Sequence, residues 1–348
     1  MILLLAFSLV LSLSASPVIA GQWVNPKEVI GDPDIARLRP GKKELTEREK
    51  KDIKKYGYTG LELMVYLDDN KDAGEDSQYL FRRYYVSRKG NITTFEGAHI
   101  RKYYYKDHRA LITYDGIKPG EVQRKIRGFA LFPPTFKGSS VIFYTYLREK
   151  IDDEIETGWR YNHADRRVGR RLNDDRTDTM GGSQITWDDL RWREPWEENH
   201  KIVGEDTVDG IKCFVVESVN LDPNYYLSKR LTWIEKRNFI DPHEEQFDKK
   251  GKLVKIIARE WKQIEPWNYW AKMKTDYYNV LTNGRTVSEF FHYLFDQHPN
   301  ELLFEPQTMQ IQNEFPKELK PIPLRIRISA KLHSKPESRN PEQLFGGR

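Results

Sequence analysis

From residue 78 onward the chain breaks into short runs in which apolar and polar residues alternate, separated by clusters of Gly, Pro, Asp and Asn. A period of two puts successive side chains on opposite faces of a strand. Segments 78–89, 92–105, 108–114, 121–130 and 140–148 are rich in Tyr and Val and are bounded by such clusters, so each is expected to be a strand. In Val141–Leu147 both faces are apolar, as in a strand covered on both sides. Leu324–Leu332 alternates cleanly, with Leu324, Ile326, Ile328, Ala330 and Leu332 set against Arg325, Arg327, Ser329 and Lys331. Hairpins are expected at Val208-Asp209-Gly210, at Asp248-Lys249-Lys250-Gly251 and at Asn283-Gly284, the last as a two-residue turn with both residues at positive φ.

The N-terminal region follows a different pattern. Thr46-Glu47-Arg48-Glu49 is a capping-box signature, and a helix to about Lys55 stopping at Gly57 follows from it. Leu61, Leu63, Met64 and Val65 fit either a second helix or a first strand. Few helices and many consecutive short strands predict a mainly β fold: an incomplete antiparallel β-barrel, or strongly curved sheet, with one or two N-terminal helices covering the open side.

Four segments are expected along the chain. Residues 1–20 read as a signal peptide: Ile2 to Val10 is almost wholly apolar, and Val18-Ile19-Ala20 suits a cleavage site before Gly21. The apolar run is interrupted by Ser8, Ser12, Ser14, Ser16 and Pro17, short for a membrane span, although an uncleaved anchor is the other reading. Residues 21–44, rich in Pro and Gly, form an extended lead-in; 45–333 form one sheet domain; 334–348 form a polar tail.

Composition narrows the class. The 57 basic and 52 acidic residues give a net charge of only +5, a mixed surface instead of a nucleic-acid footprint. The single cysteine, Cys213, cannot form an internal disulfide. An exported chain of 348 residues without disulfides points to a bacterial envelope protein with a sizeable core. Cys213 itself reads as a small buried residue on the face of Ile211 and Val215.

Catalytic signatures are sparse. No G-x-S-x-G elbow, no glycine-rich phosphate loop and no paired-histidine metal spacing occurs, and no cofactor is expected. His243-Glu244-Glu245 reads as an exposed turn, with a metal site as the alternative. The acidic pairs Asp68-Asp69, Asp152-Asp153, Asp174-Asp175 and Asp188-Asp189 read as solvated loops, because adjacent strand residues face opposite ways. A hydrolase with two separated carboxylates stays open. Trp261, Trp267, Tyr269, Trp270, Tyr277 and Tyr278 are either sheet packing or a platform for stacking sugars.

The densest chemistry lies in residues 158–190. Arg160, Arg166, Arg167, Arg170 and Arg171 are followed by Asp174, Asp175 and Asp178, then Met180-Gly181-Gly182 and Thr186-Trp187-Asp188-Asp189-Leu190. Taken with Phe129–Pro133, Lys137-Gly138-Ser139, Gly158-Trp159-Arg160-Tyr161, Arg166-Arg167-Val168-Gly169-Arg170-Arg171, Val203-Gly204-Glu205 and Trp233-Ile234, the series resembles the outer membrane lipoprotein-sorting protein-like family of the periplasmic lipoprotein-carrier superfamily. The resemblance covers residues 80 to 260. It departs at Asn162-His163, where the family carries Leu-Pro, and at Ser183, where it carries Asp.

The resemblance implies a periplasmic, non-enzymatic carrier or chaperone. It would shelter a lipid, a lipoprotein acyl chain or another hydrophobic molecule in an apolar cavity, and would serve an inner-membrane transporter or an outer-membrane acceptor. Val141, Phe143, Trp159, Tyr161, Leu231 and Trp233 are the residues expected to line that cavity, with ordinary core packing as the alternative. Arg166, Arg167, Arg170, Met180, Asp188 and Asp189 are the motif residues. Trp159 and Tyr161 share a strand face. The arginines are expected to pair with Asp174, Asp175, Asp188 and Asp189, or else to meet anionic headgroups. A carbohydrate-binding or envelope scaffold protein using the Trp/Tyr surface at 261–278 is the competing function.

Overall fold

The computed structural model describes residues 44–71, 73–104, 120–147, 156–171, 176–190, 193–311 and 336–339. The signal-peptide and lead-in segments up to residue 43, the strands expected at 108–114 and Leu324–Leu332, and the pairs Asp152-Asp153 and Asp174-Asp175 lie outside them.

Helix α1 (Glu47–Tyr56) begins at the capping box read from the sequence. The Thr46 hydroxyl accepts from the Glu49 amide, and the Glu49 carboxylate accepts from the Thr46 amide at 2.7 Å. It ends at Gly57, whose φ of 81° suits a residue without a Cβ. Helix α2 (Gly60–Lys71) settles the open reading of residues 61–67. A second capping box starts it: Glu62 accepts from the Thr59 amide at 2.6 Å and Thr59 from the Glu62 amide at 3.0 Å. Every residue from Gly60 to Asp68 is buried, so α2 is enclosed and not a surface helix. Gly60 allows the approach, since a Cβ there would lie 2.9 Å from the backbone of His200 and Lys201.

The strands are β1 (Asp76–Val86), β2 (Ile92–Tyr103), β3 (Val122–Phe132), β4 (Ser140–Tyr146), β5 (Glu156–Asn162), β6 (Arg167–Arg171), β7 (Glu198–Val208), β8 (Ile211–Asn220), β9 (Leu227–Glu235), β10 (His243–Asp248), β11 (Leu253–Ile264), β12 (Tyr269–Asn279) and β13 (Arg285–Phe295). They form one antiparallel, curved, unclosed sheet in the order β6-β5-β4-β3-β2-β1-β13-β12-β11-β10-β9-β8-β7. Two meanders are thus joined where β1 pairs with β13, leaving β6 and β7 as the edges. Each edge is protected. The Ile202 amide of β7 donates to Asp52 and its carbonyl accepts from Arg48, both on α1. The exposed arginines of the β5–β6 hairpin make the other edge a poor template for a further strand.

The turns follow the sequence with one exchange. Val208 pairs directly with Ile211, so Asp209 (φ 48°) and Gly210 (φ 84°) form a two-residue turn. The hairpin at Asn283-Gly284 exists but is wider than expected. The Asn279 side chain accepts from the amides of Leu281 and Thr282, which opens a loop in which only Asn283 takes positive φ (55°). His243-Glu244-Glu245, expected as an exposed turn, is instead buried strand β10. Its charges are affordable because His243 meets Glu245 at 3.3 Å and Glu244 meets Arg259 at 2.9 Å.

Directly paired residues share a face, so the register sorts the core. On one face Leu63, Tyr66 and Leu67 of α2 pack on Ile202, Phe214, Val216 and Ile234. On the other, Trp233, Leu231, Val215 and Cys213 form a second cluster. Phe304 and Met309, after β13, cover Leu80, Ile100, Ile142 and Tyr161 on that same side.

Candidate functional site

The face that carries α2 also encloses a cavity of about 180 Å³, smaller than the roughly 300–1,000 Å³ of ordinary ligand pockets. Its wall draws on β3, β2, β1, β13, β12, β11, β10, β9 and β7 through Arg124, Arg101, Arg83, Ser288, Thr275, Arg259, Glu244, Arg230 and Glu198. Nine gaps of about 4.8 Å separate β3 from β7, about 43 Å in a flat sheet. Side chains from both can border one small cavity only because the sheet curls. Arg83, Ser288, Thr275 and Arg259 form one cross-strand row, which fixes their common direction.

The wall is charged. Toward β7 it is a matched network: Arg230 is bonded to Glu198, and Arg259 meets Asp241 at 2.8 Å and Glu244 at 2.9 Å. Burial alone would raise the Glu244 pKa, but Arg259, Arg230 and Arg193 outweigh it and hold it well below the usual carboxylate range. Glu198 is lowered in the same way by Arg230 and Arg193 against the effect of burial. Toward β1–β3 the wall holds Arg83, Arg101, Arg124 and His99. Enclosure, then Arg101, Arg83 and Arg124, hold the His99 imidazole well below its ordinary pKa. The Tyr79 hydroxyl lies 3.0 Å from His99 Nδ1.

Residues 176–190 and 193–197, between the edge strands β6 and β7 in sequence, bring the motif acids to the enclosed face. A one-turn helix, α3 (Trp187–Leu190), is capped by Thr186, which accepts from the Asp189 amide while Asp189 accepts from the Thr186 amide. Asp188 accepts from Arg193 (2.8 Å), Tyr225 (2.5 Å) and Tyr226 (3.1 Å). Asp189 accepts from Lys255 (2.6 Å) and Gln246 (3.1 Å). Both side chains are buried, which corrects the expectation of a solvated pair. It also corrects the expected pairing with the arginine run: Arg166, Arg167 and Arg170 are exposed on the β5–β6 hairpin, and their place opposite Asp188 and Asp189 is taken by Arg193 and Lys255. Met180 reaches inward, its sulfur accepting from Arg83 Nη1 at 3.4 Å.

The six residues expected to line an apolar cavity lie elsewhere. Leu231 and Trp233 belong to the cluster on the opposite face, where Trp233 Nε1 donates to Asp206 at 2.8 Å. Trp159 and Tyr161 do share a face, but it is the opposite one, beside Ile142 and Met309. Val141 and Phe143 point to the cavity side of the sheet, Val141 next to His99 across Gly128, without bordering the cavity. The physical reason is that apolar side chains fill both faces of these strands, while the enclosed space is left to charge. Arg83, His99, Arg230 and Glu244 were missed because charged residues in a strand ordinarily signal solvent.

The cavity also bears on the competing readings. Trp270 and Tyr277 border it, whereas Trp267 and Tyr269 pack on Phe295, so the aromatic block does not form one stacking platform. Glu198 and Glu244 are held ionised, the reverse of the raised acid a glycosidase requires. Among the described residues no group of three or more His, Cys, Asp or Glu side chains is arranged to hold a metal ion.

A family model described as Protein of unknown function (DUF1329) matches residues 56–194, and one described as Uncharacterized protein matches residues 139–311. A search of curated proteins finds no match. Among solved structures the chain is similar to a DUF1329 family protein from Desulfovibrio piger, with a TM-score of 0.62 and 19% identity over 76% of this chain and 100% of that one. It is similar to an outer membrane lipoprotein-sorting protein domain from Vibrio parahaemolyticus, with a TM-score of 0.60 and 18% identity over 72% of this chain and 98% of that one. A LolA superfamily protein from Nitrosomonas europaea follows, with a TM-score of 0.51 and 12% identity over 72% and 99%. At such identities the likeness is one of fold, and the resemblance read from residues 80 to 260 is met at that level.

Proposed function

We propose that this chain, which carries the DUF1329 match and shares the fold of the lipoprotein-sorting proteins, is a non-enzymatic periplasmic carrier of an amphipathic, lipid-like molecule. The observation that carries the reading is the position of α2. It is buried from Gly60 to Asp68 and lies in the curl of an unclosed sheet, with an apolar cluster on one side and a charged cavity on the other; Met64 belongs to both. Displacement of α2 would expose Leu63, Tyr66 and Leu67 together with their partners on β7–β9. Apolar surface in water costs about 25 cal/mol per Å², so an acyl chain entering there would offset the loss of the helix. The present cavity is too small and too polar to hold such a chain, so entry of an acyl chain requires α2 to move.

The exposed Arg166, Arg167 and Arg170 edge is available for an anionic membrane surface or a membrane partner that loads or unloads the carrier. The test is native mass spectrometry of the full chain recovered from the periplasm, with solvent extraction of bound species, joined to uptake of a fluorescent fatty acid. A co-purifying amphiphile and uptake competed by unlabelled oleate support the carrier. Ligand-free protein with no competable uptake overturns it.

A further inference from the structure

The cavity wall differs between its two ends. Toward β7 its arginines are matched by carboxylates, Arg193 by Asp188, Arg230 by Glu198 and Arg259 by Asp241 and Glu244. On β1–β3, Arg83, Arg101 and Arg124 lie around a His99 whose pKa is held down by burial and then by their charges. Arg83 is the sharpest case. It is 5% exposed, and it contacts the Met180 sulfur at 3.4 Å, the Phe81 ring at 4.4 Å and the Tyr85 hydroxyl. Among the described residues no carboxylate pairs with it, and its Nε has no hydrogen-bond partner. Ser288, directly opposite Arg83 on β13 and 1% exposed, also leaves its hydroxyl without a partner. Both residues border the cavity.

A buried guanidinium without a counter-charge costs several kcal/mol, and a group that supplies both charge and acceptor lone pairs removes that cost. Water supplies only the lone pairs. An oxyanion supplies both, and a guanidinium suits carboxylate and phosphate geometry. We propose that the cavity is an oxyanion site in which Arg83 Nε and the Ser288 hydroxyl donate to one carboxylate or phosphate group, with Arg101 and Arg124 adding positive potential. The site stands independently of the carrier function. Its extension, that the oxyanion is the head of the carried amphiphile, rests on that function.

Calorimetric titration of the full chain at low ionic strength tests the site, with three probes: inorganic phosphate, oleate, and oleyl alcohol as the neutral counterpart of oleate. Binding of phosphate or oleate is expected, weakened at least tenfold by Arg83→Gln and three- to tenfold by Ser288→Ala. Ser288→Ala removes a hydroxyl that bonds nothing, so it keeps the fold and reads the site even where Arg83→Gln does not fold. Mutual competition between phosphate and oleate identifies the oxyanion as a headgroup. Phosphate binding without either amphiphile keeps the site and overturns the carrier. Equal binding of oleate and oleyl alcohol, with no phosphate binding, keeps the carrier and overturns the site. Affinities unchanged by Ser288→Ala, or no binding of any probe, also overturn it.

Discussion

Tyr225 donates its hydroxyl to Asp188 at 2.5 Å, and so ties the loop between β8 and β9 to the motif that precedes β7. Arg193 and Tyr226 converge on the same carboxylate oxygen. Burial, then the Asp188 charge, raises the Tyr226 pKa, so its hydroxyl stays a donor. Asp188→Asn would keep the shape but leave the partly buried Arg193 without its nearest counter-charge. We expect a loss of roughly 3–5 kcal/mol, measured by urea unfolding, as is usual for breaking a buried pair. Tyr226→Phe, which removes only the longest of the three bonds, should cost about 1 kcal/mol. A small effect of Asp188→Asn would refute the hub.

Asp189 and Lys255 are 66 positions apart and meet at 2.6 Å with both side chains buried. Either single replacement, Asp189→Leu or Lys255→Met, strands a charge and should destabilise by roughly 3–5 kcal/mol. The double variant should recover much of that loss, because an apolar pair needs no counter-charge. A double-mutant cycle reads the coupling directly, and additive effects would mean that the two residues do not act together.

The same two acids show where sequence reasoning stops. The capping boxes at Thr46 and the hairpins at Asp209 and Gly251 depend on residues within a few positions of each other, and they were legible. The strands β1 to β4 were legible too, since period-two alternation is local. Which face of a strand meets the cavity was not, because Val141–Leu147 is apolar on both sides and the register across thirteen strands decides the matter. Nor were the partners of Asp188, Asp189, Arg230 and Glu244, which lie on other strands or loops. A signal was present in Arg82-Arg83 and in His243-Glu244-Glu245-Gln246, charged or polar runs inside apolar strands, but buried charge is too uncommon for such a run to outweigh solvent.

Arg167 is exposed on the edge hairpin, and Asp188 and Asp189 are bonded elsewhere. Arg167→Ala should therefore change folding stability by no more than about 0.5 kcal/mol, the usual range for a surface replacement. If the hairpin touches an anionic surface, the Arg166→Ala, Arg167→Ala, Arg170→Ala triple variant should lose binding to phosphatidylglycerol vesicles at unchanged Tm. A fall in Tm with unchanged vesicle binding would return the arginines to a structural role.

Acid should unfold the protein in two stages. His99 has a depressed pKa in the folded state, so from about 6.5 downward the unfolded chain binds the proton more readily and stability is lost as pH falls. Glu244 and Glu198 are also depressed; their contribution is intact above the unfolded carboxyl pKa of about 4.3 and is lost below it. The slope of unfolding free energy against pH should steepen near both values, by at most about 1.4 kcal/mol per pH unit for each group. His99→Gln should flatten the first stage and leave the second. A first stage unchanged in that variant would assign it to another group.

Cys213 is fully buried, and its Sγ lies 3.5 Å from the Ile211 carbonyl it donates to. Burial, followed by the charges of Glu235 and Asp206, pushes the thiol pKa up to about 12. The thiol is then neutral and enclosed at pH 8, the state least able to attack a disulfide reagent. We expect 5,5′-dithiobis(2-nitrobenzoate) to label Cys213 only as the sheet opens, at a rate that follows global unfolding and rises with urea. The raised pKa also sets an alkaline limit: the stability it contributes is complete below the unfolded thiol pKa of about 8.5 and is lost as pH climbs toward 12. Cys213→Ala removes that alkaline term at the cost of a small cavity between Trp233 and Val215, so its stability should be lower at pH 7 yet less sensitive to pH above 8.5. Fast stoichiometric labelling in native buffer would show instead that this face opens locally.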